Sequence, residues 1–473
     1  MGNQLQQQHR QQAPTPLRTP RGRSGAAVTV RCQQQQVNKG FSVLEWTSKL
    51  VPQGALVTGA KTGWRLAWET MVRELAPQDR SGSYTRPTNA FNERIGAPGF
   101  PVESGRYHLY VGNACPWCHR VLLALVFSGL DRHISVGRLA DIPEQATRGG
   151  WVFQPGPDPV TGARDLWEVY DKLSPGYRGR CTAPLLIDKK SIRPVSNESS
   201  DIVRMLGWLA LPGASGVELY PQQLRQQIDA MNDKVYRCIN IAWRVPRNVY
   251  RCINNGVYRA GFATSQAGYD AAVGEMHGLL QELEQQLGQS RFLLGDRVTE
   301  ADLRLFPTIV RFDAAYAGLF RCGRRRVADY PNLQGWMRDV WQIKVPGSSM
   351  QAAACRWVGG VGGGGETAAT QQQQWVWGEA AACRCVGEWQ IKVPGSSMQV
   401  PDTVDVDGCR RSYYSSLFPL NPSGIIPSGP TAADLQLDLP ANRGSHEPGA
   451  VFYMKEAAAA AAAAAATGAQ AAG

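Results

Sequence analysis

The sequence lacks several features, and each lack removes a class of protein. Nowhere in its 473 residues is there an uninterrupted apolar run of the ~18 residues that a membrane-spanning helix needs. The alanine run 457–466 is shorter than that and only weakly hydrophobic. Charged residues are sparse at 19%, while Gly (50) and Pro (30) are plentiful, so a globular body must alternate with low-complexity segments. Acidic residues are missing altogether before Glu45. Much of the net charge of +11 therefore sits in the N-terminal segment and does not mark a binding face. Zinc-finger spacing, an RNA-recognition aromatic run and a long Lys/Arg cluster are all absent. The densest basic spot is Arg324–Arg326, and no nucleic-acid partner is expected. The 11 cysteines are odd in number and scattered, which argues against a disulfide framework at this length. A reducing compartment with one reactive pair fits better.

What is present divides the chain. At roughly 100–200 residues per domain the length allows two to four domains. Residues 1–40 are rich in Gln and Arg and read as a disordered basic segment. Within them Arg21–Cys32 has the acid-free, small-residue composition of a transit peptide, so a chloroplast or another organelle is the expected location, and the cytoplasm otherwise. Residues 41–104 form an N-terminal extension with Trp46, Trp64 and Trp68. Over 105–210 strand and helix patterns alternate. Arg106–Val111 reads as a strand, Arg120–Leu130 as an apolar helix, Ala183–Ile187 as a short buried strand and Ser196–Leu209 as a helix.

From 221 to 342 the pattern is helical. Tyr269–Leu287 has helical spacing. Thr299 with Asp302 makes a capping box, and Val298 with Leu303 a hydrophobic staple, for a helix running through Phe312. Two repeats interrupt this order. Val235–Asn240 recurs as Val249–Asn254, and Trp341–Gln351 recurs as Trp389–Gln399. Both occur only twice, unlike a solenoid, so 241–254 and 352–399 read as inserts. Ordinary sequence resumes over 400–430, and 431–473 reads as a disordered tail.

The chemistry concentrates at Cys115-Pro116-Trp117-Cys118-His119-Arg120, directly after a strand and at the head of a helix. A thiol there gains from the helix dipole and from unpaired N–H groups, and Pro116 suits the first turn. Cys115 is therefore the expected low-pKa nucleophile, with Cys118 set back. The alternatives are half a zinc site or a packed pair. No second C-x-x-C exists to complete a zinc site, since Cys383-Arg384-Cys385 is C-x-C, so no metal is expected. A second element, Arg180-Cys181-Thr182-Ala183-Pro184, puts a proline at the entry of a buried strand. A cis Ala183–Pro184 bond there would offer the Ala183 backbone to a peptide-like ligand. A third, Ser196-Asn197-Glu198-Ser199-Ser200-Asp201, starts a helix with donors for a carboxylate and with Glu198 for an ammonium.

Taken in order, these elements resemble the glutathione transferase superfamily. In detail they are similar to its xi class, the glutathionyl-hydroquinone reductases. The likeness rests on Arg106–Tyr110 before the C-P-W-C-H-R run, Gly150-Trp151-Val152-Phe153, Arg180–Pro184, Ser196–Ser200, Asn254–Phe262 and Glu300–Phe312 with Asp313, Ala315 and Tyr316. It continues through Tyr330-Pro331-Asn332-Leu333, Tyr413-Tyr414 and Asn421–Ile425, covering about 91–342 and 400–430. Ala183 stands where the family commonly carries Val, a change that a backbone contact tolerates.

The resemblance implies an α/β thioredoxin-like N-terminal domain, an all-α glutathione-transferase C-terminal domain and a homodimer. It implies glutathione as co-substrate, quinone-derived glutathione conjugates as substrates, and neither a membrane nor a nucleic-acid partner. Cys115 would attack the glutathionyl sulfur and release the hydroquinone, and a second glutathione would resolve the mixed disulfide. Trp151, Arg180, Cys181, Thr182, Ala183, Glu198 and Ser199 would contact glutathione. Tyr258 would be the proton donor, with Tyr316 and Tyr413 lining the hydroquinone pocket and tuning the thiolate. The other readings are a glutaredoxin-like thiol–disulfide oxidoreductase or general glutathione transferase, and an inactive product of a misassembled gene model.

Overall fold

In the computed structural model, residues 53–75, 89–147, 150–236, 256–345, 398–446 and 448–455 are described. The basic segment 1–40 and the inserts expected at 241–254 and 352–399, except Met398 and Gln399, lie outside them. The chain divides into two units, 1–64 and 65–473. The first is described only from residue 53, where helix α1 (Gln53–Leu75) begins. All that follows concerns the second.

Tyr107–Gly112 is a fully buried strand, β1, and its burial on both faces explains its continuous apolar and aromatic character. It pairs in parallel with β2 (Ser135–Ala140), with Leu109 opposite Val136. Its other edge pairs antiparallel with β4 (Leu185–Asp188), with Leu109 opposite Leu186. Short β3 (Val152–Phe153) and β5 (Arg193–Ser196) complete a five-stranded sheet in the order β3-β2-β1-β4-β5. The crossover from β1 to β2 is α2 (Pro116–Phe127), in which every residue but Trp117 is buried. Buried on all sides, α2 packs against both α4 (Ser199–Trp208) and α8 (Glu300–Arg311), while α3 (Leu166–Leu173) follows β3. This is the thioredoxin-like α/β arrangement.

After β6 (Val217–Glu218) the chain is helical: α5 (Arg225–Tyr236), α6 (Gly256–Gly261), α7 (Gln266–Leu287), α8, α9 (Pro331–Trp341) and α10 (Val406–Ser416). All residues of α8 are buried, which makes it the axis of this domain. It starts where the sequence signalled. The Asp302 carboxylate accepts from the Thr299 N–H (3.0 Å) and the Thr299 hydroxyl (3.2 Å). It accepts as well from the Leu293 N–H (3.1 Å) and the Trp336 indole N–H (2.9 Å). At its far end α8 widens into a π turn over Phe312–Tyr316, a local feature often found at functional sites.

The tail expected over 431–473 is packed as far as residue 455. Leu435, Leu437, Val451 and Phe452 are buried. After a short helix, α11 (Pro448–Val451), strand β7 (Tyr453–Met454) pairs antiparallel with β6. The Gln342 amide donates to the carbonyls of Leu437 (2.7 Å) and Leu439 (2.6 Å). Isolated apolar residues among Pro and Gly carry no periodicity, yet they fill gaps that longer elements leave.

Candidate active site

Cys115 is the N-cap of α2, in extended conformation, with Pro116 as the first helical residue. The strand–turn–helix junction thereby sets its sulfur at the helix start, where the first N–H groups are unpaired. The thiol is half-buried and donates to the Ala183 carbonyl at 3.5 Å. Burial alone would push this thiol up. The Cys118 thiol, the N–H groups of Cys118 and Trp117 and the charge of Arg311 outweigh burial and hold it down at about 7. Cys118 is fully buried and accepts the Gly112 N–H at 3.3 Å. Burial, and then the neighbouring Cys115, push the Cys118 thiol far above the ordinary range. Two cysteines one turn apart are thus split into a nucleophile and a neutral donor.

Three phenols converge from three further segments. The Tyr413 hydroxyl of α10 is 2.8 Å from that of Tyr258 in α6 and 2.9 Å from that of Tyr316 in the π turn. The Tyr258 and Tyr316 phenols interact with each other as well, so the three hydroxyls form one closed donor–acceptor cluster. Burial pushes all three phenols up, Tyr316 to about 12, so they stay protonated near neutrality. The charge of Cys115 further raises Tyr258, which places this phenol within electrostatic reach of the sulfur.

The second and third sequence elements lie side by side. The Ala183–Pro184 bond is cis. The buried Asn197 amide donates to the Tyr170 hydroxyl (3.2 Å) and the Thr182 hydroxyl (3.4 Å), and the Tyr170 hydroxyl donates to the Thr182 carbonyl (2.7 Å). Thr182, Ala183, Glu198 and Ser199 are thereby joined through Asn197, while Arg180 is exposed and Cys181 half-buried. Glu198 caps α4, accepting from the Ser200 N–H (3.1 Å) and hydroxyl (3.0 Å), from the Ser199 hydroxyl (3.4 Å) and from the Asn89 amide. The Trp151 ring covers Gly112 so closely that a Cβ there would collide with it. A cavity of about 310 Å³, lined by Asn113, Ala114, Arg138, Trp151, Arg411 and Ser412 among others, adjoins the residues just before Cys115. A larger one, about 730 Å³, lies among Arg94, Arg204, Trp208 and Glu300 and contains none of the candidate residues. The nucleophile, and not size, selects the smaller. Among the described residues no group of three or more His, Cys, Asp or Glu is placed to hold a metal ion.

Some of the machinery was not signalled locally. The Asn113 side chain exchanges two hydrogen bonds with the Asp405 backbone, both 2.9 Å. The Cys409 thiol donates to the Asn113 carbonyl at 3.2 Å. The segment that carries Tyr413 is thus fastened to the loop that carries Cys115. Arg311, at the end of α8, reaches the same carbonyl.

Residues 114–207 match the family model for the glutathione S-transferase N-terminal domain, and residues 266–339 match the model for its C-terminal domain. The glutathionyl-hydroquinone reductase PcpF of Sphingobium chlorophenolicum is 42% identical over 289 residues, 59% of this chain and 82% of that protein. The glutathione-bound structure of YqjG, a glutathione transferase homologue from Escherichia coli, superimposes with a TM-score of 0.55 at 33% identity. It covers 77% of this chain and 94% of that one. The xi glutathione transferase of Phanerochaete chrysosporium does so with a TM-score of 0.55 at 32% identity, over 73% of this chain and 97% of that one. The chain belongs to the glutathione transferase family of enzymes. Within that family it is a member of the xi class, the group that contains the glutathionyl-hydroquinone reductases.

Proposed function

We propose that the protein removes glutathione from glutathionyl-hydroquinones through a mixed disulfide on Cys115. The observation that carries the reading is the three-phenol cluster within electrostatic reach of an ionisable thiol. The Cys115 thiolate attacks the glutathionyl sulfur and forms an S–S bond. The bond from that sulfur to the ring carbon breaks, and the carbon takes a phenolic proton from the cluster, with Tyr258 as the donor. A second glutathione, as thiolate, attacks the glutathionyl sulfur on Cys115, which gives glutathione disulfide and regenerates the Cys115 thiolate. One carbon–sulfur bond is reduced to carbon–hydrogen, and two glutathionyl groups are oxidised to one disulfide. Glutathione would lie along the Ala183 backbone with its free amino-acid end toward Glu198 and Ser199. The expected homodimer belongs to the same proposal and is checked by light scattering. The organelle address is checked by fusing residues 1–40 to a fluorescent protein.

The test supplies a glutathionyl-hydroquinone and glutathione and follows both products. One disulfide should appear per hydroquinone released, and Cys115→Ser should abolish both, since a hydroxyl is a far weaker nucleophile near pH 7. A second reading rests on the hydrogen bond from Cys118 to Cys115, which a dithiol oxidoreductase would use. Cys118→Ala, assayed at a pH high enough to keep Cys115 ionised without the Cys118 hydrogen bond, separates the two, because the monothiol route keeps most of its rate and the dithiol route loses it. A protein that reduces small disulfides yet leaves the conjugate intact would overturn the first reading.

A further inference from the structure

Arg311 is fully buried, and a guanidinium cannot shed its charge by deprotonation. Its donors nevertheless end on neutral groups only. One terminal nitrogen donates to His119 Nδ1 and to the Pro307 carbonyl, each at 2.8 Å. The other donates to the Asn113 carbonyl at 2.8 Å, and Nε has no acceptor. Among the described residues no carboxylate lies within ion-pair distance of it. His119 cannot be the compensating group. It accepts at Nδ1, so its proton is on Nε2, which donates to the Thr403 hydroxyl at 2.8 Å, and Thr403 donates onward to the Val400 carbonyl at 2.5 Å. The ring is therefore neutral. A buried cation without an anion is costly, and a fold that keeps one is expected to place an anion near it.

The groups that face Arg311 come from every element packed around it: Cys115 and His119 from α2, Tyr316 from the π turn, and Cys409 and Tyr413 from α10. Those that face Cys115 are Cys118, Tyr258, Cys409 and Arg311 itself. Burial drives Cys409 to about 11, Tyr316 to about 12, and Cys118, Tyr258 and Tyr413 higher than their ordinary range. Only Cys115 among them is held low enough to ionise near neutrality. Arg311 also grips the chain on both sides of it, at Asn113 and at His119.

We infer that Arg311 is a positioning residue and the counter-ion of the Cys115 thiolate, and that its charge, more than its hydrogen bonds, readies the nucleophile. The inference rests on Cys115 as the nucleophile in the function proposed above. Its test needs no hydroquinone conjugate, so the two can fail separately. The pH dependence of Cys115 alkylation by iodoacetamide is measured on the full chain, the Arg311→Gln variant and the Arg311→Lys variant. Gln keeps a donor for the Asn113 carbonyl and loses the charge, whereas Lys keeps the charge and loses the fork. Removing this opposite charge should raise the midpoint by about one pH unit in the Gln variant, lowering alkylation at pH 7 about fivefold. Rates should converge again above the new midpoint, and Lys should stay within about half a unit of the parent. A Gln variant with native circular dichroism and the parent midpoint overturns the assignment, as do equal shifts in both variants. Should the Gln variant not fold, the Lys variant decides alone: an ordinary thiol midpoint there overturns the inference, and a parent-like midpoint sustains it.

Discussion

The phenol oxygens of Tyr258 and Tyr413 lie 2.8 Å apart, although 155 residues separate them in the chain. Helices α6 and α10 must meet for this bond to form, and α10 is held there by Asn113, Cys409 and the Tyr316 hydroxyl. Tyr413 is the middle member of the cluster, bonded to both others. Its loss should therefore disturb proton delivery more than loss of Tyr316.

Replacing Tyr258 by Phe should slow hydroquinone release by roughly 10²–10⁴-fold, the usual contribution of a positioned acid. Tyr413→Phe should slow it comparably, because it breaks both mutual bonds, while the rate of Cys115 alkylation changes far less. Single-turnover release of hydroquinone, set beside alkylation of the same variants, checks this. Equal losses in both assays would mean that the phenols support the thiolate and do not deliver the proton.

Alkylation should also discriminate among the cysteines by pH. The Cys115 thiol is held at about 7, so its reactivity is present above that value and is lost as pH falls through it. Burial raises Cys322 to about 12 and Cys409 to about 11, so both should stay unlabelled at pH 8. Peptide mapping after a short pulse at pH 6, 7 and 8 gives the comparison. Equal labelling of Cys115 and Cys322 at pH 8 would contradict the assigned nucleophile.

What could be read from sequence is what local geometry dictates. The cap at Thr299, the proline after Cys115 and the strand before it each follow from a few adjacent residues, and each stands in the structure as the pattern implies. Arg311 was hidden because an arginine in the last turn of an amphipathic helix ordinarily points to solvent. Here its partners come from Asn113 and His119, nearly two hundred residues earlier. Asn113 is likewise an unremarkable loop residue until Asp405 meets it. The packing of 431–455 was missed for a related reason: four buried apolar residues spread over that stretch make no repeat.

Asp302 collects four donors in a fully buried position, and burial raises its carboxyl despite them. Asp302→Ala would leave the Leu293 and Thr299 N–H groups and the Trp336 indole without their acceptor. At about 1–3 kcal/mol for each stranded buried group, part of it regained by relaxation, the loss should reach about 3–5 kcal/mol. Urea unfolding should show a lower midpoint with an unchanged slope. A loss below about 1 kcal/mol would mean that the box is dispensable.

Arg443 offers the sharpest test of whether 431–455 is a tail. One terminal nitrogen of its guanidinium donates to the carbonyls of Leu287 (2.9 Å), Ser290 (2.7 Å) and Arg291 (2.9 Å), closing the C-terminal end of α7. Its Nε approaches the buried Asp339 carboxylate at 3.7 Å, beside the closer Arg291–Asp339 pair at 2.9 Å. The Leu287 carbonyl ends α7 and has no partner within the helix, and those of Ser290 and Arg291 belong to the turn that follows, so the arginine ties the helix end to that turn. Arg443→Ala removes all three bonds at once but spares the Arg291 pair, so the buried carboxylate stays compensated. The expected cost is about 2–3 kcal/mol, read as a fall in the urea midpoint. Arg443→Lys should recover less than half of it, since a single ammonium cannot reproduce the planar fork. If the segment were a solvated tail, Arg443→Ala would change stability by no more than about 0.5 kcal/mol, the ordinary range for a surface substitution, and that result would refute the packing described for 431–455.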